Sequence, residues 1–195
     1  IFNTSRIIHL AFAALIVLVG EPLGELYIIN YLNVASESIP DAQFVFRLSI
    51  IAAAINTIFV PNQGLLVAYE KFRATALIDI ISNLVKLGLI LLFIYSDTNR
   101  IRLYSIIMLS YTVINSLAYY MYCKKYHNDV VACSLNKDRR MYKEMVSFSS
   151  WTLFGAFANV GKSQGSVIII NYFFGTIINA AYACLLYTSD AADDM

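Results

Sequence analysis

Charge is what this sequence has least of. Only 14% of its 195 residues are Asp, Glu, Lys or Arg, where a soluble domain of ordinary composition carries about 25%. That scarcity excludes a conventional water-facing surface over most of the chain. The net charge is +1, and the basic residues fall in separate loops and form no single patch, so a nucleic-acid partner is not expected. Histidine is nearly absent too. His9 and His127 lie on different elements, and no Ser/His/Asp set, metal-ligand spacing or phosphate loop accompanies them. No catalytic residue, metal ligand or cofactor is expected, and the chain does not read as an enzyme. Cys123, Cys133 and Cys184 are odd in number and lack metal-type spacing, so they point to neither a zinc site nor a disulfide framework.

What fills the chain instead is apolar. The residues AVILMFWYC make up 59% of it and the mean hydropathy is +0.64. Stretches 7–20, 43–60, 74–95 and 101–123 are almost wholly apolar. Each approaches the length needed to cross ~30 Å of hydrocarbon at about 1.5 Å per residue, and a polar face at helical spacing is mostly missing. The expectation is an all-α polytopic membrane protein. Span A covers 5–32, with a kink expected at Pro22, where a backbone donor is lost. An acidic loop at 33–41 leads to span B at 42–68, followed by span C at 74–95 and span D at 101–123. A hydrophilic linker, 124–145, precedes an apolar segment at 146–183, too long for one span; Phe174, Gly175 and Asn179 suggest that span E ends near 173 and a sixth begins near 177. After Ala183 the character changes to CLLYTSDAADDM. That string resembles translated sequencing-adapter read-through, so 184–195 is expected to be a non-native tail. Ile1 is not an initiator methionine, and the chain reads as a fragment cut at both ends.

The positive-inside rule orients the spans. Lys71 and Arg73 between B and C, with Lys124, Lys125, Lys137, Arg139, Arg140 and Lys143 in the linker, make eight cations, against two, Arg100 and Arg102, in the alternate loops. The linker is therefore expected in the cytoplasm, and Arg6 agrees with that side.

Ionisable groups within a span cost at least ~2.5–3.5 kcal/mol when they face lipid, so they mark cavities or partners. Asp79, Asn83 and Lys86 share one face of span C; Asn83 is placed to bridge the other two. They form either a cationic contact for an anionic substrate or a polar contact that glues spans together. In span E, Thr152, Gly155, Asn159, Lys162 and Ser166 form a polar, small stripe that lines either a water-filled cavity or a close helix contact. Gly161 and Gly165 give a GxxxG on another face, which close packing explains. Glu21 precedes the expected kink and Glu25 follows one turn on, marking either a transport site or a span end at the interface.

Three segments carry a family resemblance: FVPNQGLLVAYEKF at 59–72, KEMVSFSSWTLFGAFANVGKSQG at 143–165 and INYFFGTIINAA at 170–181. In this order they resemble the proline-containing span exit, the entry into the second half and the Phe-Phe-Gly segment of Wzx-type polysaccharide (O-antigen) flippases. These belong to a superfamily shared with multidrug (MATE) exporters and lipid II flippases. The resemblance covers 1–183 and implies two helical lobes around a central cavity. Residues 1–123 would be helices three to six of the first lobe, 124–145 the cytoplasmic connection, and 146–183 the start of the second lobe. It implies a transporter in the bacterial inner membrane that moves undecaprenyl-pyrophosphate-linked oligosaccharide by alternating access, with a coupling ion as a further partner. Cavity cations would hold the pyrophosphate, which suits a lysine's point charge. The substrate contacts would then come from Lys86, Asp79, Asn83, Lys162, Asn159, Thr152 and Glu21. Departures from the family pattern are Ser82 where relatives often place Glu, Thr176 for a proline, Tyr182 for an arginine, and the additional Lys162. The rival readings are a cation-coupled multidrug exporter, which would want an acidic, aromatic-lined cavity, and a membrane-embedded polysaccharide polymerase or ligase, which would want a large outer loop. The loops at 33–41 and 96–100 are short.

Overall fold

A computed structural model describes the backbone of residues 1–93, 99–132 and 139–193, without the side chains of 92–93, 163 and 186–193. Cys133, Lys137, the end of span C and the last side chains of the expected tail lie outside the described residues. Every regular element among those described is helical: α1 (Phe2–Leu15), α2 (Glu21–Asn30), α3 (Ile39–Ala68), α4 (Phe72–Phe93), α5 (Arg100–Tyr126), the short α6 (Asn128–Val131) and α7 (Arg139–Asp193). The chain is an all-α bundle. Five segments are long and apolar enough to cross a membrane: Phe2–Asn30, Ser36–Ala68, Phe72–Leu91, Arg100–Tyr126 and Arg139–Leu185.

The outer surface argues the same way. Leu18, Phe148, Trp151, Phe157 and Ile177 are all more than 70% exposed. Monomers in water seldom carry contiguous apolar area on this scale, and a hydrocarbon solvent removes the cost. The chain is a multi-pass membrane protein.

α1 and α2 form one span joined by a π-helical turn at Ile16–Gly20. The irregularity expected at Pro22 thus falls in the turn just before it, and Pro22 itself sits in the first turn of α2. The reason is local: a first-turn proline lacks an N–H that no helical partner requires there, and widening the preceding turn relieves its ring. Pro61, by contrast, lies inside an unbroken α3.

α3 and α5 are the structural axis. At one end Arg102 Nε contacts Asp41 Oδ1 at 2.6 Å, and Asn99 donates to the other Asp41 oxygen while its own Oδ1 caps the start of α5. Far along both helices, Cys123 Sγ donates to the Asn62 carbonyl at 3.4 Å. Both contacts join residues 61 apart in sequence, so the helices run parallel and in step. A small core of Leu65, Leu66, Tyr119, Cys123 and Val131 closes the second end, where Tyr69 also stacks on His127 at 4.5 Å. Arg6 reaches the Val131 carbonyl and Asn3 that of Ala132, bringing the start of α1 to this same end. α4 returns antiparallel against α5.

α2 lies unusually close to α3. A Cβ at Gly24 would stand 1.9 Å from the tip of the Phe46 ring, so a larger residue there requires that ring to shift. α7 meets α1 near its start, where Thr4 touches Met141 at 3.4 Å, and meets the segment after α2 further on, where the Asn33 amide donates to Asn171 Oδ1 at 3.3 Å. α7 is broken at Gly175, whose φ of 77° and ψ of −174° are not helical; a glycine accepts that conformation without a Cβ penalty.

Candidate functional site

Two polar groups of α4, Asp79 and Lys86, reach α5. Asp79 Oδ1 accepts the Tyr119 hydroxyl at 2.8 Å. Lys86 Nζ lies 4.7 Å from the centroid of the Tyr111 ring, a cation–π distance. Two turns of α4 thus match two turns of α5. Lys86 is half-buried, and among the described residues no carboxylate pairs with it. It stands about 21 Å along α4 from Phe72, at ~1.5 Å per residue. The bridge expected of Asn83 does not form: its amide donates to the Asp79 backbone carbonyl at 2.8 Å. A mid-helix asparagine side chain is short and reaches the i−4 backbone carbonyl readily, which engages the amide before it can bridge its neighbours. Ser82, one turn before Lys86, is 2% exposed.

Tyr111 also lines a cleft that sequence reasoning missed. Asn56 and Gln63 of α3 face Tyr111, Thr112 and Asn115 of α5 across a cavity of about 450 Å³, floored by Ala52 and Ala53. Its position is set by the in-step packing of α3 and α5, and Asn56 falls near the middle of α3. Asn115 Oδ1 is shielded from solvent and has no hydrogen-bond partner among the described residues. The available signal was Asn56 and Gln63 seven apart on one helix and Tyr111 and Asn115 four apart on another, but neither pair carries a charge. A wider depression of about 720 Å³ beside Met121 and Tyr126 lies at the end of α5 with Lys124 and Lys125, away from the mid-helix polar groups.

Glu21 has a partner the sequence reading did not assign. Arg47 of α3 reaches Glu25 at 2.8 Å and Glu21 at 3.7 Å, so these three charges form one cluster beside the π-helical turn. Thr152, Asn159 and Lys162 are exposed along α7. Among the described residues α7 packs against α1 and makes no contact with α4, so Lys162 and Lys86 are not brought together. The stripe of α7 is spaced correctly on its own helix, but spacing alone could not place that helix. His9 Nδ1 lies 2.8 Å from the Ser5 carbonyl oxygen, and His127 is packed on Tyr69. Among the described residues no group of three His, Cys, Asp or Glu side chains is placed to hold a metal ion.

The arrangement offers one cation without a carboxylate, held against an aromatic ring next to an uncharged polar cleft. It is suited to binding and orienting a ligand that carries both charge and hydrogen-bonding groups. Comparison with protein-family models, curated proteins and solved structures gives no match for this chain.

Proposed function

We propose that the chain is part of a flippase for lipid-linked oligosaccharides in a bacterial inner membrane, working by alternating access within a MATE-like fold and without covalent chemistry. The observation that carries this reading is Lys86: a half-buried ammonium well inside an apolar helix, placed on Tyr111 and paired with no carboxylate among the described residues. An intramembrane cation is a functional-site hypothesis by default because structure alone gives little return for its desolvation. A pyrophosphate-linked carrier supplies the missing countercharge. The three sequence segments that resemble Wzx-type proteins support the same reading. A multidrug exporter fits less well, since the carboxylates near the site are already engaged, Asp79 by Tyr119 and Glu21 and Glu25 by Arg47.

The test is complementation by the full-length protein in a strain lacking its own flippase. Lys86→Ala should abolish most surface polysaccharide at unchanged membrane abundance, and Lys86→Arg should retain part. Normal export by Lys86→Ala would sink the proposal. A fall in abundance matching the fall in export would assign Lys86 to structure instead.

A further inference from the structure

We infer that the cleft between α3 and α5 is a sugar-binding subsite that reads uncharged hydroxyl groups, separate from the lysine that meets the charged part of the same ligand. The inference rests on the flippase reading for the identity of the lipid carrier, and on the cleft itself for its chemistry. Asn56, Gln63 and Asn115 present carboxamides, which both donate and accept hydrogen bonds. A sugar hydroxyl also does both, so adjacent hydroxyls on a ring are a natural complement. Thr112 already donates its hydroxyl to the Met108 carbonyl at 3.0 Å, which leaves the carboxamides as the free recognition groups. Tyr111 adds a flat aromatic wall of the kind that suits the C–H face of a pyranose.

Three further features narrow the ligand. No charged side chain lines the cleft, so it is not built for the pyrophosphate, a cationic drug or a coupling ion. Asn56 and Asn115 stand near the middle of their helices, where a carboxamide is costly against lipid and needs polar company. Asn115 Oδ1 is shielded and unpaired among the described residues, an acceptor whose requirement is unmet within the bundle. The cavity of about 450 Å³ falls within the ~300–1,000 Å³ range of small-ligand sites. Its location explains how one ligand can meet both sites: Tyr111 has Lys86 on one side and lines the cleft itself. The charged junction of the substrate would sit at Lys86, and the first sugars would turn into the cleft.

The experiment uses the full-length protein in membrane vesicles, with its native cysteines, Cys123 and Cys133 among them, replaced by serine and Asn56→Cys as reporter. A small cationic methanethiosulfonate should modify position 56. Undecaprenyl pyrophosphate carrying the strain's oligosaccharide should slow that reaction, and undecaprenyl pyrophosphate without sugar should not. Gln63→Ala or Asn115→Ala should each weaken protection about tenfold, the scale of one or two lost hydrogen bonds, at unchanged abundance. Lys86→Ala should weaken binding of both lipids. An unreactive position 56 would mean that protein covers the cleft, and equal protection by the bare carrier would mean that it reads no sugar; either result overturns the inference. Absence of protection while Lys86-dependent transport persists would overturn the cleft alone. Loss of all dependence on both lipids would overturn the flippase reading with it.

Discussion

Asp79 shows how one residue can be read correctly in position and wrongly in partner. Its place on the same face as Lys86 follows from helical periodicity, but its hydrogen bond comes from Tyr119, 40 residues away. Tyr119 is 2% exposed, so its hydroxyl has few substitutes. Tyr119→Phe keeps the ring and strands a half-buried carboxylate, which costs about 1–3 kcal/mol for a lost partner. Thermal unfolding in detergent should therefore fall for Tyr119→Phe, and adding Asp79→Asn should recover part of it, because a neutral amide is cheaper to leave unpaired. Identical melting of Tyr119→Phe and parent would show that the bond contributes nothing. Lys86, by contrast, is expected to affect transport and leave melting nearly unchanged.

At the scale of elements, the contact between α2 and α3 is steric before it is electrostatic. Gly24 allows the backbone of α2 to meet Phe46, and the close approach then lets Arg47 reach both Glu21 and Glu25. Gly24→Ala should destabilise by about 1–3 kcal/mol, the usual range for overpacking, and Phe46→Leu should relieve it. If Gly24→Ala melts normally without that second change, the helices separate easily and the contact is not tight. The charges are partly exposed in the bundle, so the pairs themselves are expected to contribute little in water, about 0.2–1 kcal/mol each. Within the hydrocarbon their role is to avoid leaving a lone arginine. Glu25→Arg should accordingly lower membrane abundance, and combining it with Arg47→Glu should restore it; failure of the exchange would show that the glutamate is needed for something other than pairing. The fold gives the broken first span a mechanical reading as well, since its π-helical turn at Ile16–Gly20 lies directly before this cluster.

At the scale of the whole molecule, the basic residues of α1 and of the ends of α3 to α5 gather at one end. Arg6 contacts Val131, the helix ends carrying Lys124 and Lys125 pack by the core of Leu65 and Leu66, and the turn with Lys71 and Arg73 joins α3 to α4 at that end. Asp41, Asn99 and Arg102 hold the opposite end together. By the positive-inside rule the first end is the one expected in the cytoplasm. In a background without native cysteines, an impermeant thiol reagent added to intact cells should modify Glu37→Cys and spare Lys143→Cys. Modification of Lys143→Cys would reverse the orientation.

Sequence alone was sufficient for the apolar helices and for the approximate ends of the first four spans, though not for α6 or the early start of α7 at Arg139, because length and hydrophobicity are local properties and a bilayer demands helices that satisfy their own backbone. It also identified the one face of α4 where Asp79 and Lys86 stand, since 3.6-residue periodicity needs no tertiary information. It could not supply Tyr111 for Lys86, Arg47 for Glu21, or Asn115 opposite Asn56. Those pairs depend on which helices are neighbours and in what register, and among helices of nearly uniform apolarity the packing decides both. The α3–α5 register is set by a few contacts, Asp41 with Arg102 and Asn62 with Cys123. Once it is fixed, uncharged residues that carry no signal in a linear reading come to face each other across a single cleft.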